Sequence, residues 1–176
     1  QRFVHLFEAM IEAPERPLGE HRLLTPDEWQ LTVEGWNRTA QALPLAPTIL
    51  NAFEAQVVRS ADALAIEHRE HRLTYGELDT QANRLAHRLI AQGVGRGHWV
   101  ALCLDKSPEL AVAILAVLKC GAAYVPIDTS YPAERIRYIL DDCGSDLLLA
   151  HSQHAARYTE LPVKLLQLDR LQAQLE

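Results

Sequence analysis

The sequence predicts an α/β fold in which helices pack on a mostly parallel sheet, preceded by a helical and linker segment. Two observations lead to this prediction. From residue 48 onwards, short apolar segments of strand length alternate with longer segments of helical periodicity. The intervening segments are also long enough to form the right-handed crossover helices that parallel strands need. We therefore expect a sheet covered by helices on both faces.

Helix caps and glycines define the boundaries of the individual elements. Thr48 and Thr74 are placed to cap helices, and Glu77 completes a capping box with Thr74. Pro108 favours a helix start, and Gly121 favours a helix stop. The predicted helices cover residues 48–62, 75–92, 109–119, 132–142 and 153–159. The predicted strands cover residues 63–67, 72–75, 99–104, 123–127, 146–150 and 163–168.

Four details of these elements are also predicted. The continuous apolar run at 99–104 is typical of a strand covered on both faces. The charged residues 68–71 are expected to form a solvated turn. Pro126 indicates an edge strand or a strand end, because proline cannot donate a ladder hydrogen bond. Arg135 is expected to pair with a nearby carboxylate such as that of Asp128.

The first residues predict an amphipathic helix. Apolar side chains recur on one side at Phe3, Leu6, Phe7, Met10 and Ile11. The sequence does not distinguish a helix that packs on a partner outside this chain from one that docks on the same domain. The following segment, to residue 47, contains several prolines and polar turns, with one short helix signal at residues 25–29. This composition is typical of a linker.

The overall composition is that of an ordinary soluble globular chain. The 176 residues are 48% hydrophobic and 23% charged, with a formal net charge of −6 and a pI near 5.7. An acidic chain without clustered Lys and Arg is not expected to bind nucleic acid. No apolar run approaches the ~20 residues that span a bilayer, and the N-terminus lacks a signal-peptide layout. We predict a cytoplasmic protein without membrane or nucleic-acid partners.

The cysteine content does not indicate disulfides. Cys103, Cys120 and Cys143 are odd in number, widely spaced and flanked by apolar residues. A disulfide framework or a zinc site would instead show paired spacing. We predict three buried thiols in a reducing compartment.

Several patterns resemble functional sites but lack the required context. The glycines at positions 93, 95 and 97 follow a helix and precede a strand, which is the reverse of a phosphate-binding loop. Asp128 and the neighbouring pair Asp141 and Asp142 have no further candidate ligands at metal-binding spacing. The eight histidines, among them the pairs His68 with His71 and His151 with His154, show no zinc or hydrolase pattern.

Two catalytic motifs are absent from the sequence. It contains neither a Gly-x-Ser-x-Gly nucleophile elbow nor a Gly-x-x-x-x-Gly-Lys-Ser/Thr phosphate loop. We therefore assign no catalytic residue, no cofactor-binding residue and no metal ligand within these 176 residues.

Two longer segments resemble a known family. Leu-Thr-Tyr-Gly-Glu-Leu at 73–78 and Leu-Lys-Cys-Gly-Ala-Ala-Tyr-Val-Pro-Ile-Asp at 118–128 resemble the first two core motifs of nonribosomal peptide synthetase adenylation domains. The second motif continues through Tyr-Pro-Ala-Glu-Arg-Ile at 131–136. Cys120 is a mild departure, since a small residue is typical there. Upstream, residues 24–28 and Trp-Asn-Arg-Thr-Ala at 36–40 resemble the linker between condensation and adenylation domains.

The resemblance implies a domain organisation. Residues 1–24 are expected to be the C-terminal remnant of a condensation domain, and 25–47 the condensation–adenylation linker. Residues 48–176 are expected to be the truncated N-terminal portion of an adenylation domain. The implied partners are the rest of that domain and the condensation and carrier domains of the same synthetase.

The resemblance also implies an activity for the complete module. Such a module converts an amino acid and Mg-ATP to an aminoacyl-adenylate and loads the acyl group onto a carrier-protein phosphopantetheine thiol. The family's phosphate loop, amino-acid pocket and mobile C-terminal subdomain are expected beyond residue 176. We therefore expect this chain alone to be inactive. Two alternatives are a free-standing docking module without catalysis and a fragment of an acyl- or aryl-acid ligase.

Overall fold

The computed structural model describes residues 2–42 and 48–172, without the side chains of residues 171 and 172. The chain divides into two compact units, Gln1–Leu45 and Ala46–Glu176. The domain boundaries predicted after residues 24 and 47 remain predictions.

The first unit is helical. It contains α1 (Arg2–Glu12), a 3₁₀ turn (Leu18–Glu20), α2 (Pro26–Trp29) and a π-helical segment (Gln30–Gly35). The predicted helices at 3–11 and 25–29 are confirmed, whereas the π-helical segment was not predicted. On α1 the apolar side chains of Phe3 and Ile11 are 71% and 75% exposed, so the predicted apolar face is largely uncovered within this unit.

A capping box begins α2. The Glu28 amide donates to Oγ1 of Thr25 at 3.3 Å, and the Thr25 amide donates to Oε2 of Glu28 at 3.1 Å. Nε of Arg2 donates to Oε1 of Glu28 at 2.9 Å. The hydrogen bond from the Thr25 backbone, followed by that from Arg2, lowers the pKa of Glu28. The same carboxylate thereby joins α1 to the start of α2.

The second unit alternates strands and helices in the predicted order. Its helices are α3 (Ile49–Arg59), α4 (Tyr75–Ala91), α5 (Pro108–Lys119), α6 (Ala133–Cys143), α7 (Ser152–Ala155) and α8 (Leu168–Gln172), with a 3₁₀ turn (Ala156–Tyr158) after α7. Its strands are β1 (Leu64–His68), β2 (His71–Thr74), β3 (Trp99–Cys103), β4 (Ala123–Pro126), β5 (Leu147–Ala150) and β6 (Lys164–Gln167).

The strands form two sheets. β1 and β2 make an antiparallel pair, and the other four strands make a parallel sheet of order β4-β3-β5-β6. The prediction of a mostly parallel sheet is confirmed. Pro126 ends β4, which is an edge strand, as predicted.

Helices cover both faces of the parallel sheet, because the side chains of β3 and β5 alternate between two cores. Val100, Leu102 and Leu149 point to the face that packs against α4 and α5. Ala101 and Leu148 point to the opposite face, which packs against α6. The buried apolar run of β3 therefore has neighbours on both faces, as predicted.

The predicted caps are confirmed. In the capping box of α4, the Glu77 amide donates to Oγ1 of Thr74 at 3.2 Å and the Thr74 amide donates to Oε2 of Glu77 at 2.8 Å. The Asn51 amide donates to Oγ1 of Thr48 at 3.1 Å. Gly121, just past α5, has φ of 73°, a left-handed conformation that glycine adopts without steric cost.

A lysine with a largely buried side chain joins α3, α4 and α5, which pack on the core that contains Val100 and Leu149, here called the first core. Nζ of Lys119 lies 3.2 Å from Oε1 of Glu54 on α3 and 2.9 Å from Oδ1 of Asp79 on α4. The contact to Asp79 is an ion pair without hydrogen-bond geometry. The Lys119 side chain is 10% exposed, so its charge is largely removed from water and needs both carboxylates.

The turn predicted at residues 68–71 is shorter than expected. His68 and His71 pair with each other across β1 and β2, which leaves Arg69 and Glu70 as the turn. Arg69 has φ of 56°. Two-residue turns with positive φ match the twist of antiparallel strands, so pairing continues one residue further on each side.

Three other expectations need correction. Arg135 does not pair with Asp128: its guanidinium carbon lies 5.3 Å from the ring centroid of Tyr138 on the next turn of α6. Of the cysteines, all free, Cys103 is buried, but Cys120 and Cys143 are only partly buried. The last strand ends before residue 168, and α8 follows, because an apolar run alone does not separate a strand from a helix.

Across the described ranges 2–42 and 48–172, helices fall short of the length and apolarity needed to cross a bilayer.

The capping box of α4 leads to a stability prediction. We expect Thr74→Ala to lower the free energy of unfolding by about 1 kcal/mol, because the Glu77 amide loses its acceptor at the helix start. The matched control is Thr80→Ala in the same helix, where the hydroxyl donates to the Gly76 carbonyl at 2.8 Å. The control should stay within about 0.5 kcal/mol of the unsubstituted chain in urea unfolding. Equal losses in both variants would contradict the capping role.

Candidate functional site

The order of the parallel strands defines a switch point at their carboxyl ends, where such sheets form a crevice. From β3 the chain crosses to β4 on one side, then returns past β3 to β5 on its other side. The two connecting helices, α5 and α6, therefore pack on opposite faces of the sheet. In open α/β sheets, ligands bind where the connections diverge in this way, outside the carboxyl ends of the strands. This crevice lies above the ends of β3 and β5.

Asp105 is the centre of a polar network at this edge. It follows β3 and is 46% exposed. Oγ1 of Thr129, which follows β4, donates to Oδ1 of Asp105 at 2.7 Å. Nε2 of His154, which follows β5, lies 3.0 Å from Oδ2 of the same carboxylate, and Nε2 of Gln153 donates to that oxygen at 3.2 Å. One carboxylate therefore joins the ends of three strands.

The network lowers the pKa of Asp105. The hydrogen bond with His154 has the largest effect, followed by that from Thr129. Both bonds favour the charged carboxylate. The carboxylate is therefore ionised at neutral pH and acts as an acceptor.

Arg157 holds the loop that follows β4. Its Nη1 donates to the Thr129 carbonyl at 2.6 Å and its Nη2 donates to the Tyr131 carbonyl at 2.9 Å. The guanidinium carbon also lies 5.8 Å from the ring centroid of Tyr158. Because Arg157 follows β5 and the loop follows β4, this contact bridges the two walls of the crevice. A planar guanidinium suits such a two-carbonyl contact.

The loop also has its own internal hydrogen bond. The Ser130 amide donates to Oδ1 of Asp128 at 2.8 Å. This bond lowers the pKa of Asp128, since it stabilises the carboxylate form. Asp128 thus supports the loop rather than pairing with Arg135.

A thiol and a phenol lie beneath the crevice. Sγ of Cys103, at the end of β3, lies 3.1 Å from the hydroxyl of Tyr158. Both side chains are buried. Burial raises the pKa of Cys103 and that of Tyr158, because it disfavours the charged forms. Both groups therefore stay protonated at neutral pH, and Cys103 does not have the properties of a nucleophilic thiolate.

Ser152 and Asp169 join the ends of β5 and β6. The Ser152 amide donates to Oδ1 of Asp169 at 2.9 Å, and its hydroxyl donates to Oδ2. Burial alone would raise the pKa of Asp169, but the bonds from Ser152 outweigh it and lower the pKa.

The polar side chains of this arrangement satisfy one another. Its carboxylates, imidazole and guanidinium are each engaged with one another or with the backbone. Within residues 2–42 and 48–172, no three His, Cys, Asp or Glu side chains converge in a way that could hold a metal ion.

The structure separates the residues that the sequence analysis had considered. His154 takes part in the network, and Asp128 supports the loop after β4. Asp141 and Asp142 are exposed near the end of α6. The glycines at 93–97 precede β3 and therefore lie at its amino end, on the opposite edge of the sheet.

Four residues of the network were missed by the sequence analysis, namely Asp105, Thr129, Gln153 and Arg157. Asp105 and Thr129 come just after apolar strands. That position is a usable signal, because the carboxyl ends of parallel strands meet at one edge. Arg157 carried no such signal, since its partners are backbone carbonyls 26 and 28 residues away.

The Arg157 contact makes a prediction about loop dynamics. We expect Arg157→Lys to speed hydrogen exchange of the Ser130 and Tyr131 amides by roughly tenfold, because one ammonium does not reproduce a two-carbonyl contact. Exchange in the core strand β3 should not change. The matched control is Arg137→Lys, since Arg137 donates to a single carbonyl, that of Glu160, at 3.3 Å. Unchanged loop exchange in Arg157→Lys would contradict the assigned role.

The lowered pKa of Asp105 predicts an acid-dependent loss of stability. A depressed folded-state pKa stabilises the fold at pH values above the unfolded pKa, about 3.9, and this contribution disappears as the pH falls through the folded value. We expect Asp105→Asn to be less stable than the parent at pH 7, and the difference should shrink as the pH falls below the unfolded pKa of Asp. Urea unfolding across this range measures the difference. Asp142→Asn, at an exposed position of α6, is the control, and a pH-independent loss in Asp105→Asn would contradict the prediction.

Comparison with protein families and curated proteins identifies relatives over most of the chain. The family model described as AMP-binding enzyme matches residues 53–175. The chain is 41% identical over 152 residues to tyrocidine synthase 3 of Brevibacillus parabrevis, covering 86% of this chain and 2% of that protein. It is 38% identical over 154 residues to the dimodular nonribosomal peptide synthase of Bacillus subtilis, covering 88% and 6%. The chain thus spans a small fraction of the length of these relatives.

Solved structures share the fold. The N-terminal subdomain of NpsA from Klebsiella oxytoca, in complex with 3-hydroxyanthranilyl-AMSN, superposes with a TM-score of 0.65 at 27% identity, covering 70% of this chain and 31% of that one. O-succinylbenzoate coenzyme A synthetase of Bacillus subtilis, in complex with AMP, has the same fold with a TM-score of 0.65 at 24% identity, covering 69% and 32%. With the family match over more than half of its length, the chain belongs to the AMP-binding enzyme family.

Proposed function

We propose that this chain is part of a nonribosomal peptide synthetase whose complete adenylation domain activates an amino acid with ATP. The products are an aminoacyl-adenylate and pyrophosphate, and the acyl group then passes to the phosphopantetheine thiol of a carrier domain. One observation supports this proposal above the others: the chain is 36–41% identical to several peptide synthetases over at least 83% of its length.

The proposal divides the chain into three parts. Residues 1–24 are the end of a condensation domain, 25–47 are the linker, and 48–176 are the N-terminal portion of the adenylation domain. The synthetase-like motifs at 73–78 and 118–128 support this division, as does the family match that begins at residue 53. The partners are then the remaining parts of the same synthetase, in a cytoplasmic protein without nucleic-acid or membrane partners.

The chain contributes a scaffold to this reaction. The motif at 73–78 begins α4 through the Thr74 capping box, and the motif at 118–128 forms the end of α5 and strand β4. The one cation in these motifs, Lys119, is paired with Glu54 and Asp79, so neither motif presents an unpaired cation to a transferring phosphate. The network around Asp105 and Arg157 makes the crevice wall rigid, so that the rest of the domain meets a preformed surface.

The residues present do not fit a Mg-ATP site. No group of three or more His, Cys, Asp or Glu side chains that could hold a metal ion occurs in the described part of the chain. The sequence also has no glycine-rich loop that ends in lysine. We propose that the groups that bind Mg-ATP and the phosphopantetheine thiol belong to other parts of the synthetase.

Relatives favour the peptide synthetase over the acyl- or aryl-acid ligase. The fold alone does not discriminate, because O-succinylbenzoate coenzyme A synthetase shares it at 24% identity. Identity to peptide synthetases is higher, at 41% for tyrocidine synthase 3. This difference supports amino-acid activation.

The proposal predicts different activities for the chain and for the complete synthetase. We expect no amino-acid-dependent ATP–pyrophosphate exchange from the purified 176-residue chain, because it lacks donors that stabilise the transferring phosphate. The complete synthetase, assayed with each proteinogenic amino acid, should exchange with at least one of them. Exchange by the chain alone would refute the predicted inactivity. If the complete synthetase activates aryl or acyl acids and no amino acid, the proposed substrate class is wrong.

A further inference from the structure

The tip of the β1–β2 hairpin places two histidines beside each other. His68 ends β1 and His71 begins β2, and the two residues are direct partners in the antiparallel pair. Directly opposed residues of such a pair have side chains on the same face, with Cβ atoms roughly 4.5–5.5 Å apart. The two imidazoles therefore start from neighbouring positions on one face of the hairpin.

The neighbouring pairs fix this geometry. Glu67 and Arg72 are the next pair, and Nη2 of Arg72 lies 2.5 Å from Oε1 of Glu67. Because alternate residues of a strand face opposite ways, this ion pair lies on the other face from the histidines. The following pair, Ile66 and Leu73, shares the histidine face and is partly buried, with Ile66 packed against the first core. The hairpin is thus anchored just below its tip.

Both imidazoles are available to a ligand. His71 is exposed and His68 is partly buried. Among the described residues, neither ring has a hydrogen-bond or ionic partner. The charges of the neighbouring pair, Arg72 and Glu67, are paired with each other on the other face of the hairpin. The ring nitrogens therefore lack competing contacts within the described structure.

We propose that His68 and His71 together bind a divalent transition-metal ion, with Cu²⁺ bound more tightly than Ni²⁺ or Zn²⁺. Imidazole nitrogens suit these three ions, and their affinity for a given set of nitrogen ligands peaks at Cu²⁺. No third His, Cys, Asp or Glu converges with this pair in the described residues, so water completes the coordination. The site is separate from the crevice and independent of the proposed function.

Metal binding would link the two strands at the end away from α4. An ion held by both histidines stabilises the paired hairpin relative to any state in which the strands separate. β2 leads directly into Thr74, the cap of α4. The ion would thereby stabilise the start of that helix through the hairpin.

The test is calorimetric titration of the chain with Cu²⁺ alone. We expect saturable binding that is at least about tenfold weaker in His68→Asn and in His71→Asn, because each variant leaves one imidazole. The matched control is His87→Asn, which removes an exposed histidine of α4 and should leave the affinity unchanged. The proposal would be overturned if the variant that carries both His68→Asn and His71→Asn bound Cu²⁺ as tightly as the parent. It would also be overturned if His87→Asn weakened binding as much as either single variant.

A second measurement separates loss of a ligand from loss of the fold. Electron paramagnetic resonance of the Cu²⁺-loaded chain should show coupling to two imidazole nitrogens, and to one in each single variant. Circular dichroism of the same samples reports whether the variants stay folded. Coupling that is the same in the parent and in folded single variants would show that the hairpin does not bind the ion.

Discussion

The structure of the second unit depends on the burial of strand β3 between two apolar cores. From Val100 to Cys103 every side chain is buried, and the strand pairs with β4 on one side and β5 on the other. A strand in this position needs helices on both faces, and right-handed crossovers supply them as α5 and α6. β4 and β5 pair directly with β3, and β6 pairs with β5 at the edge of the sheet.

The same arrangement produces the crevice and its polar network. The chain passes from β3 to β4 on one side and then to β5 on the other side of β3. The segments that follow β4 and β5 therefore lie on either side of the end of β3. Asp105 accepts hydrogen bonds from both of these segments, and Arg157 joins them through the Thr129 carbonyl. Polar groups at this edge are thus satisfied mainly by one another, which makes the wall rigid.

Membership in the AMP-binding family agrees with a scaffold role for this part of the fold. The segments that resemble synthetase motifs form a helix start, a helix stop and an edge strand. In this chain, the Thr74 capping box and the left-handed Gly121 meet requirements of backbone geometry. A resemblance in such segments indicates a common fold and is explained without any catalytic group.

The sequence by itself determined the local structure and the family. Caps, glycines and apolar periodicity act over a few residues, so Thr48, Thr74 and Gly121 correctly marked helix ends, and apolar runs marked the strands of the parallel sheet. The two resembling motifs were sufficient to indicate the family. Much of the fold could therefore be predicted, but none of the residues of the crevice was assigned to a site.

Tertiary structure alone decided the order of the strands and the contacts between distant side chains. Thr129 and His154 reach Asp105 from 24 and 49 residues away, and no local pattern encodes such distances. Arg135 was expected to pair with Asp128, which is near in sequence, but its guanidinium lies over the ring of Tyr138 on the same helix. At the hairpin, residues 68–71 were expected to form a turn, but strand pairing places His68 opposite His71. Local rules act through the backbone of one segment, whereas these contacts exist only after segments pack together.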